Sequence, residues 1–213
     1  MTLHRQICPW LTALFLLLMP GPSLAGVEAG VEFDESKVID VAGRAESLEL
    51  CSTGLLRYRR IFKGYVAGFY REDCSAVMNS LGEASKRLEL SYFWSIPGDK
   101  FGVAAEQLLR ETLEAADFAA LELRMRRLHA AYVSVEPGDR YALTYVPRRG
   151  TELALNGRPL AVIEGEDFAR AYFGIWLGEK PIDEKLRNAL LADIDTGAGL
   201  GASDDVANDR VRR

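Results

Sequence analysis

The hydrophobic period of the chain changes several times, and each change marks an element. Ile7 to Met19 is a nearly unbroken apolar run of 13 residues behind a short start carrying His4 and Arg5. Pro20, Gly21 and Pro22 break it, and Ser23-Leu24-Ala25 offers the small residues a signal peptidase needs. A membrane span needs roughly 20 apolar residues. Residues 1–25 therefore read as a cleaved secretory leader rather than an anchor, and the expected location is periplasmic or secreted. No later apolar run is long enough to cross a bilayer, so the mature chain is expected to lack a transmembrane segment.

Beyond the leader, strand-like and helical periods come in blocks. Val38–Ala42 and Leu48–Cys51 read as short strands. Leu55–Tyr70, rich in Tyr, Phe, Ile and Val, reads as two antiparallel strands with a tight joint, interrupted by Gly64 and Gly68. Ser75–Leu81 suits a short helix. Arg87–Trp94 alternates, with Leu88, Leu90, Tyr92 and Trp94 facing one way, as in a strand with one buried side. Pro97-Gly98-Asp99 ends that strand, and Asp99 is placed to cap a helix whose apolar face is Phe101, Ala104, Ala105, Leu108, Leu109 and Leu113. A second helix, about Asp117–Tyr132, buries Phe118, Leu121, Met125, Leu128 and Tyr132 and leaves Arg124, Arg126 and Arg127 on a solvated face. Strands return at Tyr141–Val146, Thr151–Leu155 and Pro159–Ile163, the last two joined by the hairpin signal Asn156-Gly157. Glu166–Trp176, closed by Gly178, and Ile182–Ala192 read as helices. Blocks of strands separated by paired helices argue for an α+β domain spanning residues 26–193. The Gly-, Ala-, Ser- and Asp-rich residues 194–213 read as a disordered tail.

Charge and cysteine content narrow the function. The 213-residue chain carries 26 Lys and Arg against 31 Asp and Glu, a net charge of −5. Loss of Arg5 with the leader makes the mature domain more acidic still. Such a balance disfavours nonspecific nucleic-acid binding. Cys8 leaves with the leader; Cys51 and Cys74 remain, either bonded in an oxidising compartment or as two separate thiols. His129 is the one histidine outside the leader, more a packing residue than a ligand, and two separated cysteines make no zinc site. There is no nucleophile elbow. Gly197-Ala198-Gly199-Leu200-Gly201 follows no strand and precedes no helix, so it is not a dinucleotide loop. No metal or cofactor is expected.

Three blocks carry a resemblance. The first is Arg57 with Phe62-Lys63-Gly64-Tyr65-Val66-Ala67-Gly68-Phe69-Tyr70. The second is Phe93-Trp94-Ser95-Ile96-Pro97-Gly98-Asp99-Lys100-Phe101. The third runs from Tyr145-Val146-Pro147-Arg148-Arg149-Gly150 through Asn156-Gly157 and Ile163-Glu164-Gly165 to Gly174-Ile175-Trp176-Leu177-Gly178. In this order the chain resembles the chalcone isomerase-like family, in particular its exported bacterial branch, from about Val38 to Ala192. The resemblance implies an open-faced β-sandwich, a large antiparallel sheet with helices layered on one face, and a ligand cleft between the two layers. It also implies a site. The catalytic members close a flavanone ring without a cofactor, using a strand arginine to hold a phenolate and polar donors for the developing enolate. Arg57 matches the arginine. The threonine of the next strand falls on Tyr65, the helix-start tyrosine on Phe101, the lysine and asparagine that follow on Ala104 and Leu108, and the late serine or threonine on Ala169.

These replacements make the cleft apolar while leaving one cation, which suits a small amphipathic acid such as a fatty acid. Fatty-acid-binding relatives without catalysis keep the arginine. The expected ligand site is Arg57, Tyr65, Tyr92, Phe101, Leu108 and Ala169, with Arg57 catalytic only if the protein is an enzyme. The alternative for Arg57 is the wet face of its strand, beside Arg59 and Lys63. Two other functions stay open: an intramolecular lyase or isomerase using Tyr65 or Tyr92 as donor, and an envelope scaffold for protein interaction, whose partner the residues do not name.

Overall fold

The computed structural model describes residues 26–59, 61–75 and 80–196. The expected leader, most of the Ser75–Leu81 segment and the chain beyond Thr196 lie outside the described residues. A small hairpin, β1 (Val27–Glu28) and β2 (Val31–Glu32), precedes the main sheet. That sheet is built from β3 (Ser36–Val41), β4 (Arg44–Tyr58), β5 (Phe62–Arg71), β6 (Lys86–Tyr92), β7 (Arg140–Val146), β8 (Gly150–Leu155) and β9 (Arg158–Ile163). Its seven strands lie in chain order and every pair is antiparallel. Helices α1 (Gly98–Thr112) and α2 (Ala115–His129) fill the β6–β7 connection; α3 (Glu166–Leu177) and α4 (Glu184–Thr196) follow β9. All four pack on one face of the curled sheet, the open-faced sandwich expected from the sequence.

Alternation along the strands decides which face each side chain joins. Tyr65, Ala67 and Phe69 of β5 join Leu88 and Leu90 of β6 under the helices, while Val66 and Tyr70 point to the opposite face. There they meet Phe33 and Leu48, with Ala29 and Val31 of the small hairpin packed alongside. Gly68 makes this possible, because a Cβ at that position would lie 2.7 Å from the Phe33 ring. On the helical face, α3 buries Phe168, Tyr172, Phe173, Ile175, Trp176 and Leu177, and α4 adds Leu186 and Leu190. Asn156 and Gly157 both have positive φ, 49° and 78°, as the expected two-residue hairpin requires.

Four expectations change. The two short stretches Leu48–Cys51 and Leu55–Tyr58 belong to one 15-residue strand, β4, which continues through Gly54 and a register irregularity near Cys51. Asp99 makes no capping hydrogen bond. Pro97 holds the cap position, the Ser134 hydroxyl accepts from the Gly98 amide at 3.2 Å, and Asp99 pairs with Lys100. Arg124 leaves the solvated face of α2 to pair with Asp167 of α3 at 2.5 Å and to donate to the Glu164 carbonyl. Finally, β6 is buried on both faces. Glu89 is only 3% exposed, held by Arg87 at 2.9 Å, Arg140 at 3.0 Å and Lys37 at 3.4 Å. A paired charge satisfies burial as well as an apolar group does, so alternation alone read this side as wet.

Cys51 and Cys74 form a disulfide with Cα atoms 5.2 Å apart and a sequence separation of 23. It ties the middle of β4 to the connection after β5. Constraint of a loop of this length predicts that Cys51→Ser with Cys74→Ser lowers unfolding free energy by about 3 kcal/mol, measured by denaturant titration. The Glu89 cluster predicts an acid response. Burial pushes the carboxyl up, but the Arg87 hydrogen bond and the charges of Arg87, Lys37 and Arg140 outweigh it and hold Glu89 below its ordinary value. A depressed folded pKa adds stability above the unfolded value that is lost as pH falls through the folded one. Stability should therefore drop below the usual glutamate range, and Glu89→Gln should weaken that dependence while destabilising the protein at neutral pH.

Candidate functional site

Close packing normally removes space between a sheet and its helices. Here a cavity of about 610 Å³ remains between β4–β8 and helices α1 and α3. Its floor comes from alternate strand residues: Leu56 on β4, Tyr65 on β5, Leu90 and Tyr92 on β6, Tyr141 and Leu143 on β7, and Leu153 on β8. Phe101, Ala104, Ala105 and Leu108 of α1 form one wall, spaced three, four and seven apart so that they share a helix face. Tyr172, Ile175 and Trp176 of α3 form the other, and Tyr132 closes the end beyond α2. Exposed members of the lining, Tyr58, Phe62, Lys63, Trp94 and Lys100 together with Ala104 and Ile182, mark its mouth.

The rings lock one another. Phe101 stacks on Tyr132 at 5.1 Å between centroids and meets Tyr92 and Tyr141 edge-on at 5.5 and 5.1 Å. Tyr65 and Tyr92 are direct cross-strand partners with centroids 5.6 Å apart. Such edge and stacked contacts stabilise the arrangement beyond area burial. Most polar atoms are spent internally. The Trp176 indole N–H donates to the Tyr65 hydroxyl at 2.8 Å, and the Tyr132 and Tyr172 hydroxyls bond each other at 3.0 Å. Tyr141 donates to the Val133 carbonyl and accepts from the Val133 amide, while the Trp94 N–H donates to the Lys63 carbonyl. The Tyr92 hydroxyl makes no hydrogen bond among the described residues and is not sealed by protein either, so it borders the open space.

Electrostatically the cavity is neutral. Burial pushes the phenols of Tyr65, Tyr92, Tyr132 and Tyr172 well above their ordinary value, the neighbouring phenols adding to the effect at Tyr92. All four remain protonated donors at physiological pH. Among the described residues the lining contains no carboxylate and no guanidinium; its charged residues are Lys100 at the mouth and Lys63, whose ammonium turns away to the Ala29 carbonyl. Among the described residues no cluster of His, Cys, Asp or Glu fits a metal ion, and no described helix is long and apolar enough to span a bilayer. His129 lies outside the cavity, packed against Gly102 of α1.

The residues expected from the sequence divide cleanly. Tyr65, Tyr92, Phe101, Ala104 and Leu108 line the cavity. Arg57 does not. It is exposed, because it sits between Leu56 and Tyr58, which both line the cavity, and the two-residue period turns it to the other face. It pairs across the sheet with Lys63, past an irregularity at Gly64. The expected phenolate-holding cation is therefore absent from the cavity. Ala169 is also outside the lining, fully buried in α3 one turn before Tyr172. Sequence reasoning treated Tyr132, Tyr141, Tyr172 and Trp176 as ordinary core or strand residues. Their inward periodicity is visible in the sequence, but nothing there distinguishes a ring that fills space from one that borders it.

The sequence profile of the family described as chalcone isomerase-like matches residues 25–192. Among solved structures, the chain is similar to a fatty-acid binding protein from Arabidopsis thaliana. The TM-score is 0.59 at 15% identity, covering 82% of this chain and 98% of that one. No curated protein matches the chain.

The buried phenols predict an alkaline signature. A group whose folded pKa is raised contributes stability that is complete below its unfolded value and is lost as pH rises through the folded one. Stability should fall above about pH 10, with tyrosinate absorbance of the native protein lagging that of the unfolded chain. Tyr92→Phe should shallow this fall without collapsing the fold, because its hydroxyl leaves no partner behind.

Proposed function

The chain belongs to the chalcone isomerase-like family, and we propose that it is a binding protein for a small amphipathic acid such as a fatty acid, held between sheet and helices without chemistry. The observation that carries this reading is the cavity itself. It is large enough for a drug-sized or acyl ligand, apolar along its length and, among the described residues, neutral inside and cationic only at its mouth. Burying an ionised carboxylate among neutral phenols is costly without a counter-charge. The hydrocarbon tail therefore enters, and the carboxylate stays at the mouth within reach of Lys100 of α1, which takes the role expected of Arg57. Tyr92 supplies one donor to any oxygen or water inside. The fatty-acid binding of the structural neighbour supports this reading.

A ring-closing mechanism of the family's catalytic members finds less support. It needs a cation inside the cleft beside hydrogen-bond donors, and Arg57 lies outside. Export fits the same picture. The leader-like start, together with a disulfide of the kind that persists in oxidising compartments, supports a periplasmic or secreted location.

Binding is tested by displacement of a fluorescent fatty acid and by mass spectrometry of the natively purified protein. Ala104→Trp, which fills the cavity from α1, should lower acyl affinity at least tenfold while the fold survives. Lys100→Ala should weaken a fatty acid by about two- to fivefold, the range for exposed charges, but leave the corresponding fatty alcohol unchanged. Failure to take up any chain length, with the wild-type fold intact, would rule the reading out.

A further inference from the structure

The mouth of the cavity carries a surface that ligand binding alone does not require. The joint between β4 and β5 reads Arg57-Tyr58-Arg59-Arg60-Ile61-Phe62-Lys63 in sequence. Tyr58, Ile61 and Phe62 are 61%, 73% and 52% exposed, and neighbouring Trp94 is 57% exposed. These form one patch. Tyr58 and Phe62 are cross-strand partners, the Ile61 amide donates to the Tyr58 carbonyl, and the Trp94 ring is bonded to the Lys63 carbonyl. Exposed clusters of large apolar side chains mark interaction sites.

Cations surround this patch. Arg57, Arg59, Lys63 and Lys100 are all exposed. Arg59 lies over the Tyr58 ring, and Lys63 donates to the Ala29 carbonyl. Arg57, Arg59 and Lys63 have no ion-pair partner among the described residues; Lys100 pairs only with its neighbour Asp99. Of the carboxylates nearby, Asp183 is engaged with the Leu186 amide at the start of α4, and Glu136 accepts from the Ser95 hydroxyl. A protein with a net charge of −5 thus gathers unpaired positive charge around the opening of its apolar cavity.

We propose that this rim docks on an anionic lipid bilayer, with Tyr58, Ile61, Phe62 and Trp94 entering the headgroup layer and the cations facing lipid phosphates. Aromatic residues favour the membrane–water interface. Basic residues beside them add attraction to anionic lipid, and the two together give reversible surface binding. A second copy of the chain is the poorer occupant, because a symmetric contact would set the same cations against each other. Docking in this orientation places the cavity mouth at the headgroup–acyl boundary, so cargo passes between bilayer and cavity without crossing bulk water. The proposal extends the acyl-binding reading and rests on it only for the cargo.

The test is cosedimentation of the purified protein with vesicles of phosphatidylglycerol and phosphatidylcholine, set against phosphatidylcholine alone. Anionic vesicles should bind at least tenfold more tightly, with binding falling as salt rises and Trp94 fluorescence quenched by brominated acyl chains. Arg57→Glu combined with Ile61→Ser should weaken vesicle binding about tenfold or more. Acyl-probe affinity without vesicles should hold, because neither residue lines the cavity. Equal binding to both vesicle types, or no effect of the double variant, overturns the proposal. Concentration-dependent dimerisation abolished by Ile61→Ser also overturns it, assigning the patch to a second copy. Vesicle binding by a protein that takes up no acyl probe supports the docking surface and removes the cargo. Acyl uptake without vesicle binding removes the surface and leaves the cargo.

Discussion

The structure depends on keeping an apolar space open between two layers that would otherwise close on it. Packing of sheet against helix is driven by burial of apolar area, and nothing in that force stops at 610 Å³. What stops it here is a set of rigid struts. The Trp176 indole reaches from α3 to the Tyr65 hydroxyl on the sheet, and Tyr132 and Tyr172 join the end of α2 to α3. Each bond contributes only about 1 kcal/mol net, but each also fixes a large ring in a position from which it cannot fold inward. Phe101, packed against Tyr92, Tyr132 and Tyr141, holds α1 off the sheet in the same way. The cavity is the gap these rings enclose.

The same struts set the chemistry of the interior. A strut needs a polar tip to reach across and a large apolar body to resist compression, and tyrosine and tryptophan combine both. Burial then raises every phenol in the set, so the groups that keep the space open are also the ones that stay neutral. Among the described residues no counter-charge lies within, and a ligand's charge remains at the mouth, where Lys100 meets water. Geometry and electrostatics therefore agree on one orientation for an amphipathic ligand, and the agreement follows from the residue type rather than from any dedicated recognition residue.

Much of this was legible in the chain. The Asn156-Gly157 hairpin, the apolar face of α2 and the inward run of α3 follow from period and turn chemistry, and the order of blocks fixes the layered fold. The family's sequence pattern added the cleft and brought Tyr65, Phe101 and Leu108 to it. Misreadings cluster where two physical causes share one pattern. Glu89 alternates like a solvated residue because a buried carboxylate with three cations obeys the same spacing. Arg57 matched a family position, yet its facing is decided by strand phase relative to Leu56 and Tyr58, a phase that the irregularity at Gly64 leaves open until the pairing is known. Whether Tyr141 or Trp176 fills or borders space depends on residues distant in sequence.

Arg57 also shows how the two ends of the molecule differ in purpose. Inside the cleft it would have provided a fixed counter-charge and drawn a carboxylate inward. On the outer face it joins Arg59 and Lys63 around the exposed aromatic joint, where its charge acts on whatever approaches the mouth rather than on what lies within. Moving one guanidinium across a strand thus separates two tasks that a single buried arginine combines: retention passes to apolar area and rings, and attraction passes to the rim. A cavity that holds its contents without buried charge also releases them without breaking a buried ion pair, and it does so toward the surface that the rim attracts.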